Sequence, residues 1–321
     1  MEGYVCKTIR LEEIQSSYPY SCRYRPLEAT SVLGSIQKRG IVFPLLATRG
    51  PERLLISGHR RLAAAKSLGL REIKIWEIVQ TQNPSELFLI SVLSNWNQAW
   101  SDLDRAWVIR KAKEEFKFSQ QDLLEGILPA LGLSSESYLL NQYYDVACLE
   151  PCLLDLVEAG RLPFRGMQIL GKFLPEDRAT FATLIGSKII LTSNQLLKAG
   201  EWLYDLLKKE KTNLGNFLKD RGLLEILNRQ GNDEGQKARA FYNALRRLRF
   251  PRLAESEQKV EKVLTLLAPE LKELRLEMPE SFEEEGFSLH AKLKSQASIE
   301  QLKEFLSKHR PQLNSLFDIM L

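Results

Sequence analysis

The sequence predicts an α+β protein built in three parts. An N-terminal mixed domain spans residues 1–83. A helical middle domain spans 84–235 and leads through a basic helix or linker at 236–252 into a small α/β C-terminal domain at 253–321. Three observations predict this. Short β-branched runs alternate with glycine-ended helices before residue 80. From Pro84 the texture is helical, with repeated Gly and Pro breaks. Near the C-terminus one alternating segment is followed by residues at helical spacing. The length of 321 residues agrees with two or three domains of about 100–200 residues each.

The elements follow in order. Val5 to Ile9 reads as a strand, and Arg25-Pro26 marks a break. Leu33 and Ile36 belong to a short helix that stops at Gly40. Ile41 to Ala47 and Leu54 to Ser57 read as buried strands. Arg60 to Leu68 is an alanine-rich helix ended by Gly69, and Glu72 to Val79 is a further strand. In the middle, breaks at Gly126, Gly132, Pro151, Gly160, Gly171, Pro175 and Gly186 imply several short helices. Residues 231–235 read as a loop, and Lys237 to Arg249 as an arginine-dense helix. Leu253 to Leu276 places Val260, Val263, Leu264 and Leu267 on one helical face. A linker with Pro279 and Glu283 to Glu285 precedes an alternating strand, Phe287 to Leu293. Ile299, Leu302, Phe305 and Leu306 then recur at helical spacing.

Composition excludes several classes. Charged residues make up 27% and apolar residues 44%, which is the balance of a globular protein. No apolar run approaches the roughly 20 residues of a membrane span, so no membrane partner is expected. The four cysteines are too few for a disulfide scaffold, and Met1 to Tyr4 lacks a signal-peptide pattern, so the expected compartment is the cytoplasm. Cys148 and Cys152 read as core residues, because no histidine stands near them to complete a metal site. Trp96, Trp100 and Trp107 read as a hydrophobic joint between the first two domains. The net charge of +4 conceals two basic blocks, residues 1–80 at +6 and 151–253 at +7. An anionic partner is one reading of that pattern, and solvated faces are the other.

Residues 54–69 carry the most chemistry. They read as a strand, a glycine turn and a helix whose first residues are basic. A helix N-terminus offers free N–H groups and a partial positive charge. Gly58 would let a phosphate approach the backbone, and Arg60 and Arg61 add forked donors. Basic residues at a helix start oppose the helix dipole, which favours an anion there. The alternative is a plain turn with two solvated arginines.

The same residues resemble the ParB-type partition protein family, whose nucleotide-binding domain shares a fold with sulfiredoxin. Leu33 to Pro44 looks like its opening helix–turn–strand element, including Gly40 and Pro44. Ser57-Gly58-His59-Arg60-Arg61 is similar to its Gly-Glu-Arg-Arg phosphate motif. Leu93 to Gln98 falls where the family has Glu-Asn-x-x-Arg. The resemblance implies a ParB/sulfiredoxin-like N-terminal domain that holds CTP through Gly40, Pro44, Ser57, Gly58, His59, Arg60, Arg61 and Asn95, with Asn95 facing magnesium. Family members that hydrolyse CTP carry a glutamate where this chain has His59. Ser94 and Gln98 replace the third motif's glutamate and arginine. Binding is therefore implied, while hydrolysis lacks its carboxylates. Sulfiredoxin-type chemistry would need a cysteine in the motif, and none stands there.

Phe118 to Leu124, with Ser119 as N-cap, reads as the first helix of a helix-turn-helix. Ser134 to Tyr144 reads as the second, with Glu125 to Leu133 as a long connection. The DNA-reading candidates are Ser119, Gln120, Gln121, Ser134, Ser135, Ser137, Tyr138, Asn141 and Gln142. The second helix carries no Lys or Arg. Phosphate contacts must then come from Arg161, Arg165 and Lys172, or from Lys237, Arg239, Arg246, Arg247, Arg249 and Arg252. A protein-binding helical domain is the alternative. The resemblance further implies double-stranded DNA as partner, a homodimer formed by the C-terminal block, and a partition ATPase. The function it implies is a CTP-responsive dimeric DNA clamp in plasmid or chromosome partition. Two other readings stay open: a transcriptional regulator with a vestigial nucleotide site, and an enzyme on the same fold, either a small-molecule kinase or a nuclease.

Overall fold

In the computed structural model the described residues are 3–15, 19–25, 29–95, 99–229, 233–267, 274–277, 286–293 and 295–320. Several features expected above lie outside them: Pro26, Trp96 to Gln98, the loop at 231–232, Pro279 and Glu283 to Glu285. The chain is α+β and falls into two compact units, Met1–Lys188 and Ile189–Leu321. The domain boundaries drawn from the sequence lie inside these units and stand as a proposal.

The first unit begins with β1 (Tyr4–Arg10), α1 (Thr30–Arg39), β2 (Leu45–Thr48), β3 (Leu55–Ser57), α2 (His59–Ser67) and β4 (Glu72–Ile78). The sheet order is β1-β4-β2-β3. The β1–β4 and β2–β3 pairs are antiparallel, and β2–β4 is parallel. Strand alternation sorts side chains between two cores. Leu45, Leu55, Ile73 and Ile75 face Leu62 and Ala65 of α2. Ile56 and Ile78 point the other way, into a core shared with the helices that follow.

Those helices are α3 (Pro84–Leu93), α4 (Asp102–Glu114), α5 (Gln120–Asp122), α6 (Leu128–Ala130), α7 (Ser137–Ala147), α8 (Pro151–Glu158), α9 (Phe164–Leu170) and α10 (Pro175–Ser187). Leu87, Phe88, Val108, Ile109, Ile127 and Leu140 meet Ile56 and Ile78 in one core, so the sheet and the first helices solidify together. Residues 19–25 are strapped across this seam. Tyr20 stacks on Phe116 at 5.4 Å, Arg23 pairs with Asp104 at 2.6 Å, and Arg25 reaches Asp155 at 2.5 Å.

The second unit holds α11 (Ser193–Glu210), α12 (Leu214–Asp220), α13 (Leu223–Asn228), α14 (Glu234–Arg249), α15 (Pro251–Leu267), β5 (Leu274–Glu277), β6 (Ser288–Ala291), α16 (Gln296–Lys308) and α17 (Arg310–Met320). Thr192 opens α11 with a capping box to Gln195, and Asp233 caps α14. Leu196, Leu203 and Leu207 recur at helical spacing and are buried, as are Phe217, Phe241 and Leu245. A smaller core joins Val260, Leu267, Phe305, Leu313 and Leu316. Among the described residues no helix is long and apolar enough to cross a membrane.

Five local expectations are corrected. The helix read from Leu253 to Leu276 ends at Leu267, and Leu274–Glu277 is a strand paired antiparallel with Ser288–Ala291. The strand read from Ile41 is confined to Leu45–Thr48. Gly126 does not break its helix, because a π-helical turn at Leu123–Ile127 carries the chain through to Ala130. Burial of Leu123, Ile127, Leu128 and Leu131 outweighs the local cost of Gly126 and Pro129. Gly186 likewise lies within α10. Cys148 and Cys152 are exposed rather than core residues, while Val146, Ala147, Leu153 and Leu154 beside them fill the core.

Candidate functional site

Strand β3 ends at buried Ser57, and the chain turns at Gly58 into α2. Gly58 has φ 104° and ψ 23°, a backbone state open to glycine at little cost. It caps the helix without a side chain, and the first helical bond runs from the Leu62 amide to the Gly58 carbonyl at 2.9 Å. The amides of His59, Arg60 and Arg61 therefore precede the helical ladder. No acid occupies the first turn, where the dipole would favour one.

The sequence-predicted residues divide here. Arg61 reaches back to the loop before β2. Its Nη1 donates to the Phe43 carbonyl at 2.5 Å and to the Pro44 carbonyl at 2.9 Å. Pro44, Gly58 and Arg61 thus form one cluster, and it holds an exposed apolar tip, Val42 and Phe43. Gly40 ends α1 in a positive-φ turn just before that tip. Asn95 follows α3 and donates from Nδ2 to the Ser91 carbonyl at 2.8 Å. One turn earlier, the Ser91 hydroxyl bonds the carbonyls of Ile56 and Tyr20, each at 2.8 Å. This ties the end of α3 to β3 directly ahead of the motif.

The electrostatics are one-sided. Burial pushes the His59 imidazole down to about 4, and Lys111 and Arg61 push it the same way. Arg61 is lowered by burial and by Arg60. Burial also lowers Lys111, whose nearest acid is Glu115 at 3.7 Å. The histidine is neutral at pH 7 and can donate or accept one hydrogen bond, but it is no cation. Sequence reading did not single out Lys111. Its signal is a lysine set among the buried Val108, Ile109 and Ala112 of α4.

His59 gives a pH prediction. Its folded pKa lies below the unfolded value of about 6.5, so the unfolded chain binds the extra proton. Stability is then full above pH 7 and falls as the pH drops from 6.5 toward 4. The expected loss between pH 7.5 and 5 is about 2 kcal/mol, before the carboxylates begin to titrate. Thermal unfolding of the wild type and His59→Gln across this range checks it. The variant's curve should be flat over the same interval.

The second cluster is on α5–α7. Ser119 caps α5 through a capping box with Asp122. Helix α7 starts at Ser137, because Glu136 is extended (φ −106°, ψ 126°). Ser134 and Ser135, read from sequence as helical, lie in the connection. Leu140, Tyr143, Val146 and Ala147 anchor α7. The Tyr143 hydroxyl donates to Asp102 at 2.8 Å, and the Tyr144 hydroxyl donates to Glu114 at 3.0 Å. Ser119, Gln120, Gln121, Ser137, Tyr138 and Asn141 are exposed, Tyr138 to 65%, while Gln142 is half-buried. The exposed face also carries Glu136 and Asp145.

No family model matches the sequence, and no curated protein matches it. Among solved structures, the chain is similar to the C-terminally truncated chromosome-partitioning protein ParB from Caulobacter crescentus complexed to the centromeric parS site. The identity is 16%, 61% of this chain and 98% of that one are covered, and the TM-score is 0.38. It is also similar to that protein complexed with CTP-gamma-S, at 18% identity over 57% and 99% of the two chains, TM-score 0.25. A third similarity is to a Pnob8-like ParB-N domain, at 15% identity over 73% and 92%, TM-score 0.37. The chemistry of the site is set by the residues of this chain.

Those residues fit a triphosphate better than they fit a protein-held metal. The uncapped amides at Gly58 and the surplus of cationic side chains suit phosphate oxygens. For magnesium the candidate ligand is one neutral amide oxygen, Asn95 Oδ1, on a side chain whose Nδ2 is held by the Ser91 carbonyl. Among the described residues no group of three or more His, Cys, Asp or Glu side chains could hold a metal ion. A hard dication needs oxygen ligands that are anionic or closely grouped.

Proposed function

We propose that the chain is a ParB-like DNA-binding protein whose first unit holds CTP at the β3–α2 turn and duplex DNA on the helix-turn-helix formed by α5–α7. One observation carries the nucleotide half. The start of α2 is uncapped and lacks acid, Lys111 and Arg61 set the charge around His59, and Arg60 adds to the charge at Arg61. Such a helix start is relieved by an anion. Ser57, Gly58, His59, Arg60 and Arg61 surround the phosphates, with Gly40 and Pro44 on the loop that Arg61 braces. Ser91 joins this turn to α3, so an occupied site biases the helices that follow. The nucleotide acts as a switch ligand, and it shifts an equilibrium by its differential affinity for two states.

The DNA half rests on the exposed polar set of α5 and α7, with Tyr138 and Asn141 standing outward on a helix anchored by Leu140 and Tyr143. Two copies joined by the C-terminal elements would present two such helices and retain DNA as a clamp in plasmid or chromosome partition, with a partition ATPase as protein partner.

The test is calorimetric titration of CTP in magnesium, with ATP and GTP as controls, for the wild type and Arg60→Ala. The expected result is CTP-selective binding, weakened ten-fold or more in the variant. Absence of binding by any nucleotide removes the switch. DNA binding that is sequence-specific yet indifferent to CTP would identify a transcriptional regulator with a vestigial site instead.

A further inference from the structure

The cations of α14 divide into two kinds. Arg249 pairs with Asp205 of α11 at 2.8 Å and lies over the Phe250 ring, and Arg246 pairs with Glu257 of α15 at 2.7 Å. These two stitch the helix to its neighbours. Arg239 and Arg247 are exposed and make no ion pair or hydrogen bond among the described residues, and the same holds for Arg252 at the start of α15. The helix dipole accounts for a cation in the last turn, such as Arg247. It does not account for Arg239 two turns earlier, nor for Arg252 in the first turn of α15, where the dipole disfavours it.

Helical geometry aligns Arg239, Asn243 and Arg247 at successive four-residue steps, about 12 Å from end to end. Gln236 and Asn243 are exposed beside the arginines. From Gln236 to Arg247 the helix carries no acid. The result is a rigid row of guanidinium and amide donors, buried on its opposite side through Ala238, Phe241 and Leu245. We propose that this face of α14, with Arg252, is a second DNA-contacting surface, and that it grips the phosphate backbone of duplex DNA without reading sequence. A polyanion with charges every few ångströms meets separated guanidinium forks in any register. This complements α7, whose exposed face has no Lys or Arg and carries Glu136 and Asp145. The inference stands on α14 itself and does not require α7 to read bases.

The experiment measures affinity of the full chain for a short duplex of arbitrary sequence, by fluorescence anisotropy, between about 50 and 200 mM salt. The wild type is compared with the triple alanine variant of Arg239, Arg247 and Arg252, and with the triple lysine variant. Losing three phosphate contacts should lower the slope of log K against log salt by about 2–3 in magnitude and weaken binding roughly ten-fold or more. Lysine should restore most of both. Thermal unfolding of the alanine variant should match the wild type, since the replaced side chains make no ion pair or hydrogen bond among the described residues. An unchanged slope overturns the proposal, as does a wild type that does not bind duplex DNA; both would leave an acidic protein as the occupant. Asn141→Ala provides the separate control. It should alter discrimination between sequences with the slope intact, so failure of the helix-turn-helix reading is distinguishable from failure here.

Discussion

Asp104→Ala should destabilise the first unit by about 3–5 kcal/mol, because it removes the largely buried carboxylate that pairs with Arg23 at 2.6 Å. The carboxylate is buried and accepts from Arg23 Nη1 at 2.6 Å, from the Tyr24 amide at 3.0 Å and from the Ser101 hydroxyl at 2.8 Å. The Arg23 side chain is 14% exposed. It also donates to the Ala99 carbonyl at 3.0 Å and lies 4.9 Å from the Trp100 ring, and these contacts hold it in place. The strap 19–25 also supplies the Tyr20 carbonyl to Ser91 and the Pro19 and Ser21 carbonyls to Lys111. Loosening it should therefore reach the candidate nucleotide site. The check is urea and thermal unfolding of the full chain, with a fall of about 10 °C expected. The doubly apolar variant Arg23→Met with Asp104→Leu should recover much of the loss, since neither charge is then stranded. A loss under about 1 kcal/mol for Asp104→Ala would show that the strap does not hold the unit together.

The elements were legible where the signal is local. Gly40 ends α1 as its position after a basic turn implies, and Gly58 before a basic, alanine-rich run marks the β3–α2 turn. Ser119 caps α5 as read. The strap was not legible, because its bonds join residues 81 and 130 positions apart and leave no periodic trace. Strand β5 was hidden for a related reason. Leu274 to Glu277 alternates, but the 3.6-residue pattern of Val260 to Leu267 runs into it, and only pairing with β6 makes it a strand. Gly126 interrupts the helical pattern of the sequence, yet a π-helical turn absorbs it because the leucines around it are buried. The cysteines misled through composition. Cys148 and Cys152 are small and apolar, but they fall on the outward side of their segments. In the candidate site the motif itself was visible, whereas Ser91 and Lys111 were not, since each sits in an ordinary helical stretch and acts on the motif through the fold.

Gly58→Ala should cost about 2–5 kcal/mol and remove the proposed phosphate cradle at the same time. Two terms add. An alanine at φ 104° pays the steric penalty of a left-handed backbone, on the order of 1–2 kcal/mol. Its Cβ would also stand 3.0 Å from Leu45 Cγ and 3.1 Å from Arg61 Nη2. Leu45 is fully buried on β2 and cannot swing away, so the overpacking term is about 1–3 kcal/mol. Arg61 is held by the carbonyls of Phe43 and Pro44. If it yields, the loop bearing Val42 and Phe43 moves with it. The expected readout is therefore paired: a lower unfolding midpoint, and loss of CTP binding under conditions where the variant is still folded. Leu45→Ala combined with Gly58→Ala separates the terms. It relieves the clash at Leu45 but leaves the backbone strain and opens a cavity, so it should not restore stability, and CTP binding should stay weak if the approach of phosphate to the bare Gly58 backbone is what matters. Gly58→Ala with wild-type stability and wild-type CTP affinity would show that neither the turn geometry nor the phosphate approach depends on glycine at this position.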